Sequence, residues 1–125
     1  MAKFQRDRWH GPYPYDEGGI THLRSLMDAP LAGTYLVRLK GLTIPYPFGR
    51  SSIIYLGKAT DLDIRLIQHL RNSEPNDALR NYLTTRACTF EFRKCNLNGA
   101  RSLEREFLRW CIDKLGSKPI CNNQL

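Results

Sequence analysis

The chain has 125 residues, of which 42% are hydrophobic and 25% charged, enough for one domain around one core that buries roughly 65–70% of the unfolded surface. Nineteen Lys and Arg against twelve Asp and Glu leave a net charge of +7; this surplus attracts polyanions and puts nucleic acid first among expected partners, with a solubility surplus as the bland alternative. The longest apolar runs are a few residues, too short to span a membrane, and the N-terminal stretch MAKFQRDRWHGPYPYDEGG has no apolar run or cleavage site of a secretory signal, so a cytoplasmic protein is expected, with nucleoid association open.

Residues 1–32 read as an extension: an aromatic arm bearing Pro and Gly, then a short helix in ITHLRSLMDAP, capped near Thr21 and stopped by Pro30. GTYLVRLKG, Gly33 to Gly41, has the β-branched and aromatic content of a strand, and GLTIPYPFGR, with two prolines and two glycines, reads as a loop over residues 41–50. SSIIYLG supplies the next strand, the antiparallel partner of the first in a hairpin. Thr60 is then expected to cap a helix running to about Leu70, with Asp61 and Asp63 in its first turn and Leu62, Leu66 and Leu70 on its buried side.

SEPNDALRNYLTTR opens with turn residues and continues with Leu79 and Leu83 at helical spacing, which predicts a second short helix. ACTFEFRKC alternates, Cys88, Phe90 and Phe92 against Thr89, Glu91 and Arg93, as a half-buried third strand does. After a turn at NLNG, ARSLEREFLRWCIDKLG predicts a helix of several turns closed by Gly116. The sum is an α+β fold, a small three-stranded antiparallel sheet flanked by helices over residues 33–125. Cys88, Cys95, Cys111 and Cys121 include no C-x-x-C pair and fit no common zinc spacing, so buried thiols are expected rather than a zinc module or disulfides.

Four blocks in order, GTY at Gly33 to Tyr35, YLGKATDLDIRL at Tyr55 to Leu66, LEREFL at Leu103 to Leu108 and PICN at Pro119 to Asn122, resemble the motifs of the GIY-YIG nuclease domain. The second block is most similar to the incision domain of bacterial excision-repair nucleases, and Arg65 with His69 is similar to the R-x-x-x-H helix of homing endonucleases. Thr34 and Leu56 stand where the family name has isoleucines, and the connection from Tyr35 to Tyr55 is longer than usual in the family, consistent with an inserted loop that antiparallel strands tolerate.

The resemblance implies metal-dependent hydrolysis of a DNA phosphodiester, which needs an in-line nucleophile, positive charge on the non-bridging oxygens and an ion at the leaving oxygen. On that reading Tyr35 is the general base and Tyr55 orients water or phosphate. A tyrosinate poised near neutral pH requires about 4 kcal/mol of local stabilisation, a role open to Lys58 and Arg65. Arg65 is the phosphate clamp, and His69 either relays a proton or contacts phosphate, or only packs. Glu104 is the expected ligand of Mg²⁺ or Mn²⁺. Asn122, or the adjacent Asn123, braces the site.

The last helix selects Glu104 independently of any resemblance. At about 100° per residue, Leu103, Phe107, Leu108, Cys111 and Leu115 share one face with Glu104 near its middle, whereas Glu106 lies opposite. A carboxylate there needs a proton, a cationic side chain such as an arginine, or a metal ion. Trp9, Tyr13, Tyr15 and Trp110 either stack on bases or tuck into the protein's own surface. The competing readings are a non-catalytic nucleic-acid-binding module of the same fold, an RNA-processing nuclease and a structural nucleoid protein. The substrate is left open between duplex and branched DNA, and the oligomeric state between monomer and homodimer.

Overall fold

The structure, a computed structural model, describes residues 8–27, 30–71 and 76–123. The elements follow in the order β1 (Trp9–Pro14), α1 (Glu17–Leu26), β2 (Gly33–Leu39), β3 (Ile44–Tyr46), β4 (Gly49–Ser51), β5 (Ile53–Ala59), α2 (Leu62–Leu70), α3 (Asp77–Thr85), β6 (Cys88–Lys94), α4 (Leu97–Leu115) and a 3₁₀ helix at Ile120–Asn123. The mixed α+β class is as the sequence predicts. The main sheet, however, has four strands in the order β1-β6-β2-β5, all antiparallel, where three were expected.

The fourth strand comes from the aromatic arm. Trp9–Pro14 pairs with β6 from Trp9↔Arg93 to Pro14↔Thr89, with an irregularity between His10 and Tyr13. WHGPYP contains one glycine and two prolines, a loop signature in the sequence, but an edge strand leaves one row of N–H groups unused and so tolerates proline. The arm and α1 are therefore built into the core: Tyr15, Ile20 and Leu23 are buried, and the Tyr15 hydroxyl donates to the Leu66 carbonyl oxygen of α2 at 2.9 Å. Residues 41–50 likewise hold more than a loop, since β3 and β4 pair as a small second sheet. The Tyr46 hydroxyl there donates to the Ile53 carbonyl and accepts from the Ile120 N–H.

Helix starts differ from the expected caps. Asp16, not Thr21, caps α1, accepting from the Gly19 N–H at 2.7 Å. Asp61 rather than Thr60 occupies the cap position of α2, without a side-chain cap bond. Asn76 caps α3; the turn expected at residues 73–75 lies outside the described residues. Asn96 starts α4 at Leu97, a turn before ARSL, and Gly116 closes it at φ 87°, the left-handed conformation that glycine adopts without penalty.

β2 is the central strand, paired on both edges and buried at Gly33 to Val37. Helices α1, α2 and α3 cover one face of the sheet, where Tyr35, Val37, Ile54, Phe90 and Phe92 meet Ile20, Leu23, Leu62, Leu66 and Leu79. Helix α4 packs on β2 and β5 from the other face. Thr34, buried there, donates to the Ala100 carbonyl of α4 at 3.1 Å. No helix among the described residues is long and apolar enough to cross a membrane.

Candidate functional site

The site forms around β5, the edge strand, because a pleated strand sends alternate side chains to opposite faces. Tyr55 and Gly57 point to the α2 side and Lys58 to the α4 side. Tyr35 of β2 sits opposite Gly57 in the register. A methyl group at Gly57 would lie 2.6 Å from Cζ and the hydroxyl oxygen of Tyr35, so the bare glycine is the floor on which the Tyr35 ring rests. The resemblance marks this glycine only as a motif letter; its packing role follows from the cross-strand register.

Tyr35 is fully buried, and its hydroxyl is hydrogen-bonded to Nε2 of the buried His69 at 2.5 Å. His69 reaches it from the last turn of α2, one helical turn beyond Arg65. Tyr55 completes a cluster of three rings, its centroid 6.0 Å from that of Tyr35 and 5.3 Å from that of His69. Tyr55 is half-buried and is the one ring of the three that meets solvent. Tyr15, of the two expected alternatives, tucks into the protein itself: it is buried in the core, and its hydroxyl donates to the Leu66 carbonyl of α2.

Burial pushes the Tyr35 phenol well above its ordinary value of 10.0; negative charge on Tyr55 and Tyr15 would act in the same sense, and Arg65 acts against them. The expected stabilisation of a tyrosinate by nearby cations is thus present in sign but outweighed by desolvation. In this arrangement Tyr35 is a neutral phenol held against His69.

Lys58 and Glu104 meet on the α4 face, with Nζ 2.9 Å from Oε1. The Glu104 side chain is 21% exposed; the cation that meets it on the apolar face of α4 is a lysine, not the arginine weighed as the alternative to a metal. Beneath it Cys111 and Leu115 are buried, while Leu103, Phe107 and Leu108 are half-buried and Glu106 is exposed.

Lys58 of the ion pair and Arg65, one helical turn before His69, meet at the strand-to-helix turn. An open groove of about 380 Å³ is lined by Lys58, Thr60, Asp61, Ile64, Arg65 and Gln68, so Lys58 and Arg65 face one space. The Arg65 guanidinium donates to Gln68 Oε1 at 3.2 Å. Thr60, Asp61 and Gln68 belong to this groove and were not singled out from the sequence, because only the turn between β5 and α2 brings them beside Lys58.

Asn122 braces the strand. Its Oδ1 accepts from the Leu56 N–H and its Nδ2 donates to the Leu56 carbonyl, both at 2.8 Å. The amide thus acts as one residue of a further strand on the free edge of β5. The Asn123 side chain lies outside the described residues.

Of the other aromatics, Tyr13 stacks on Phe92 and lies tilted against Phe90, Trp9 packs edge-on against Phe107, and Trp110 is 46% exposed. The cysteines are free thiols, with Cys88, Cys111 and Cys121 buried. Among the described residues no three His, Cys, Asp or Glu side chains cluster as a metal cage would need. A lone carboxylate such as Glu104 fits a hard divalent cation that takes its remaining ligands from water and phosphate oxygens. No protein-family model matches the sequence, and comparison with curated proteins and with solved structures found no match.

Proposed function

We propose that the protein is a DNA endonuclease of the GIY-YIG type, hydrolysing a phosphodiester at the groove between β5 and α2. The observation that carries this reading is the convergence, around one edge strand, of the Tyr35–His69–Tyr55 cluster, the Lys58–Glu104 pair and Arg65. Arg65 and Lys58 face the groove from its two sides and suit the non-bridging oxygens of a phosphodiester. Glu104 would hold Mg²⁺ or Mn²⁺, which supplies Lewis-acid charge at the scissile phosphate when bound. Lys58 would then exchange the Glu104 carboxylate for phosphate.

Between the two tyrosines, the exposure of Tyr55 supports giving it the base role that the family resemblance gives to Tyr35. Tyr55, half-exposed, takes a proton from an attacking water; Tyr35, buried and hydrogen-bonded to His69, positions the histidine and the Tyr55 ring. Nicking of supercoiled plasmid with Mg²⁺ tests this. Tyr55→Phe is expected to lose about 10²-fold or more in rate, the range for lost acid–base catalysis, and Tyr35→Phe less. The reverse order would return the base role to Tyr35.

A second reading, a nucleic-acid-binding module that does not cut, is favoured by the same two facts that strain the first. The phenol of Tyr35 is held protonated by burial, and Glu104 is engaged by Lys58. Wild-type protein that binds duplex DNA and leaves plasmid intact with Mg²⁺ and with Mn²⁺ would establish it. Matched RNA substrates separate a third outcome, RNA cleavage, in the same assay.

A further inference from the structure

Helix α4 carries a second cationic feature outside the groove. Arg101, Arg105 and Arg109 recur every four residues and are all exposed, which lines them along one side of the helix over about 12 Å, drifting about 40° per turn. Arg101 lies one turn before Glu104 and about 60° around the helix from it, so the row begins beside the Lys58–Glu104 rim and runs outward along the solvent face.

None of the three forms an ion pair among the described residues, although Glu106 and Asp113 share the helix. Other arginines are committed internally: Arg24 to Asp63, Arg38 to Glu91, Arg50 to Thr43. Like charges one turn apart weaken a helix, so the stability of the fold does not account for the row. A shallow groove of about 290 Å³ lies along it, lined by Ser102, Arg105, Glu106 and Arg109.

We propose that Arg101, Arg105 and Arg109 are a docking surface for the phosphate backbone of duplex DNA, leading it along α4 to the Lys58–Glu104 rim. The location of the rim as the place of cutting rests on the nuclease reading above; the duplex-binding surface does not require cleavage. Guanidinium groups suit phosphate oxygens, and a contact of this kind carries no sequence information, so the surface sets register and affinity rather than site choice.

The test is fluorescence anisotropy of a labelled DNA duplex, without divalent metal, across a salt series, for the full chain and the triple variant Arg101→Ala/Arg105→Ala/Arg109→Ala. Alanine favours the helix, so the variant should fold, as far-UV circular dichroism will report. Three lost phosphate contacts lower the log–log salt slope by about 2.7, which at 0.1 M salt corresponds to a loss of affinity of up to about 500-fold. A control triple with the same charge loss away from α4, Lys40→Ala/Arg80→Ala/Lys118→Ala, should leave the slope within about 1 of wild type. An unchanged slope in the α4 variant, an equal fall in the control, or binding of an RNA duplex with none of DNA overturns the proposal. Loss of slope in a protein that never nicks plasmid keeps the surface and removes the nuclease reading. Nicking with an unchanged slope does the opposite. If both hold, the α4 variant should raise KM with kcat unchanged.

Discussion

Replacing Gly57 by alanine isolates the packing that holds the ring cluster. The added methyl group would lie 2.6 Å from two atoms of Tyr35 and 2.9 Å from a third, against roughly 3.5–4.0 Å for a comfortable carbon contact. The ring has nowhere to retreat, since Tyr35 is fully buried and tied to His69. Overpacking of this kind costs about 1–3 kcal/mol. For a chain of this length that is a fall in Tm of about 3–15 °C, at roughly 3–5 °C per kcal/mol. Gly49→Ala is the control, because nothing lies within 4 Å of a methyl group there. The assay is calorimetry or thermal circular dichroism of both variants, with plasmid nicking beside it. Gly57→Ala should lose stability and displace Tyr35 from His69, and Gly49→Ala should do neither. Equal Tm for wild type and Gly57→Ala would refute the stacking of Tyr35 on the glycine and with it the register of β2 against β5.

Asn122→Ala removes both bonds to the Leu56 backbone; a loss of about 1–3 kcal/mol is expected in urea unfolding, and an unchanged midpoint would mean that water replaces the amide. Glu104→Gln should abolish Mg²⁺-dependent nicking with DNA binding retained, whereas Glu106→Gln, on the exposed side of α4, should do little; the opposite result would put the helix register wrong. Burial raises the thiols of Cys88 and Cys111 to about 11 and of Cys121 to about 12 from an ordinary 9.0. The unfolded chain therefore gives up these protons first, and stability should hold below about pH 9 and fall above it, by at most about 1.4 kcal/mol per pH unit for each thiol. Denaturant midpoints that stay flat from pH 9 to 10.5 would contradict the burial of these side chains.

Local chemistry made much of the chain legible from the sequence. The alternation of Cys88, Phe90 and Phe92, the leucine spacing of α2 and the glycine that closes α4 are short-range signals, and the structure keeps the elements they predict. The position of Glu104 on the apolar face of its helix was also readable, because a helix wheel needs nothing beyond its own segment. What pairs with what was not readable. WHGPYP becomes an edge strand only because β6 offers it a free row of hydrogen-bonding groups, and residues 41–50 pair as a hairpin that Tyr46 ties to Ile53 and Ile120. Burial decided the chemistry of the tyrosines. In the sequence Tyr35 and Tyr55 are two similar strand residues. The fold places one beneath α2, where loss of water holds its proton, and leaves the other half-exposed. That difference is set by which elements cover each face of the sheet, a property that no single segment carries.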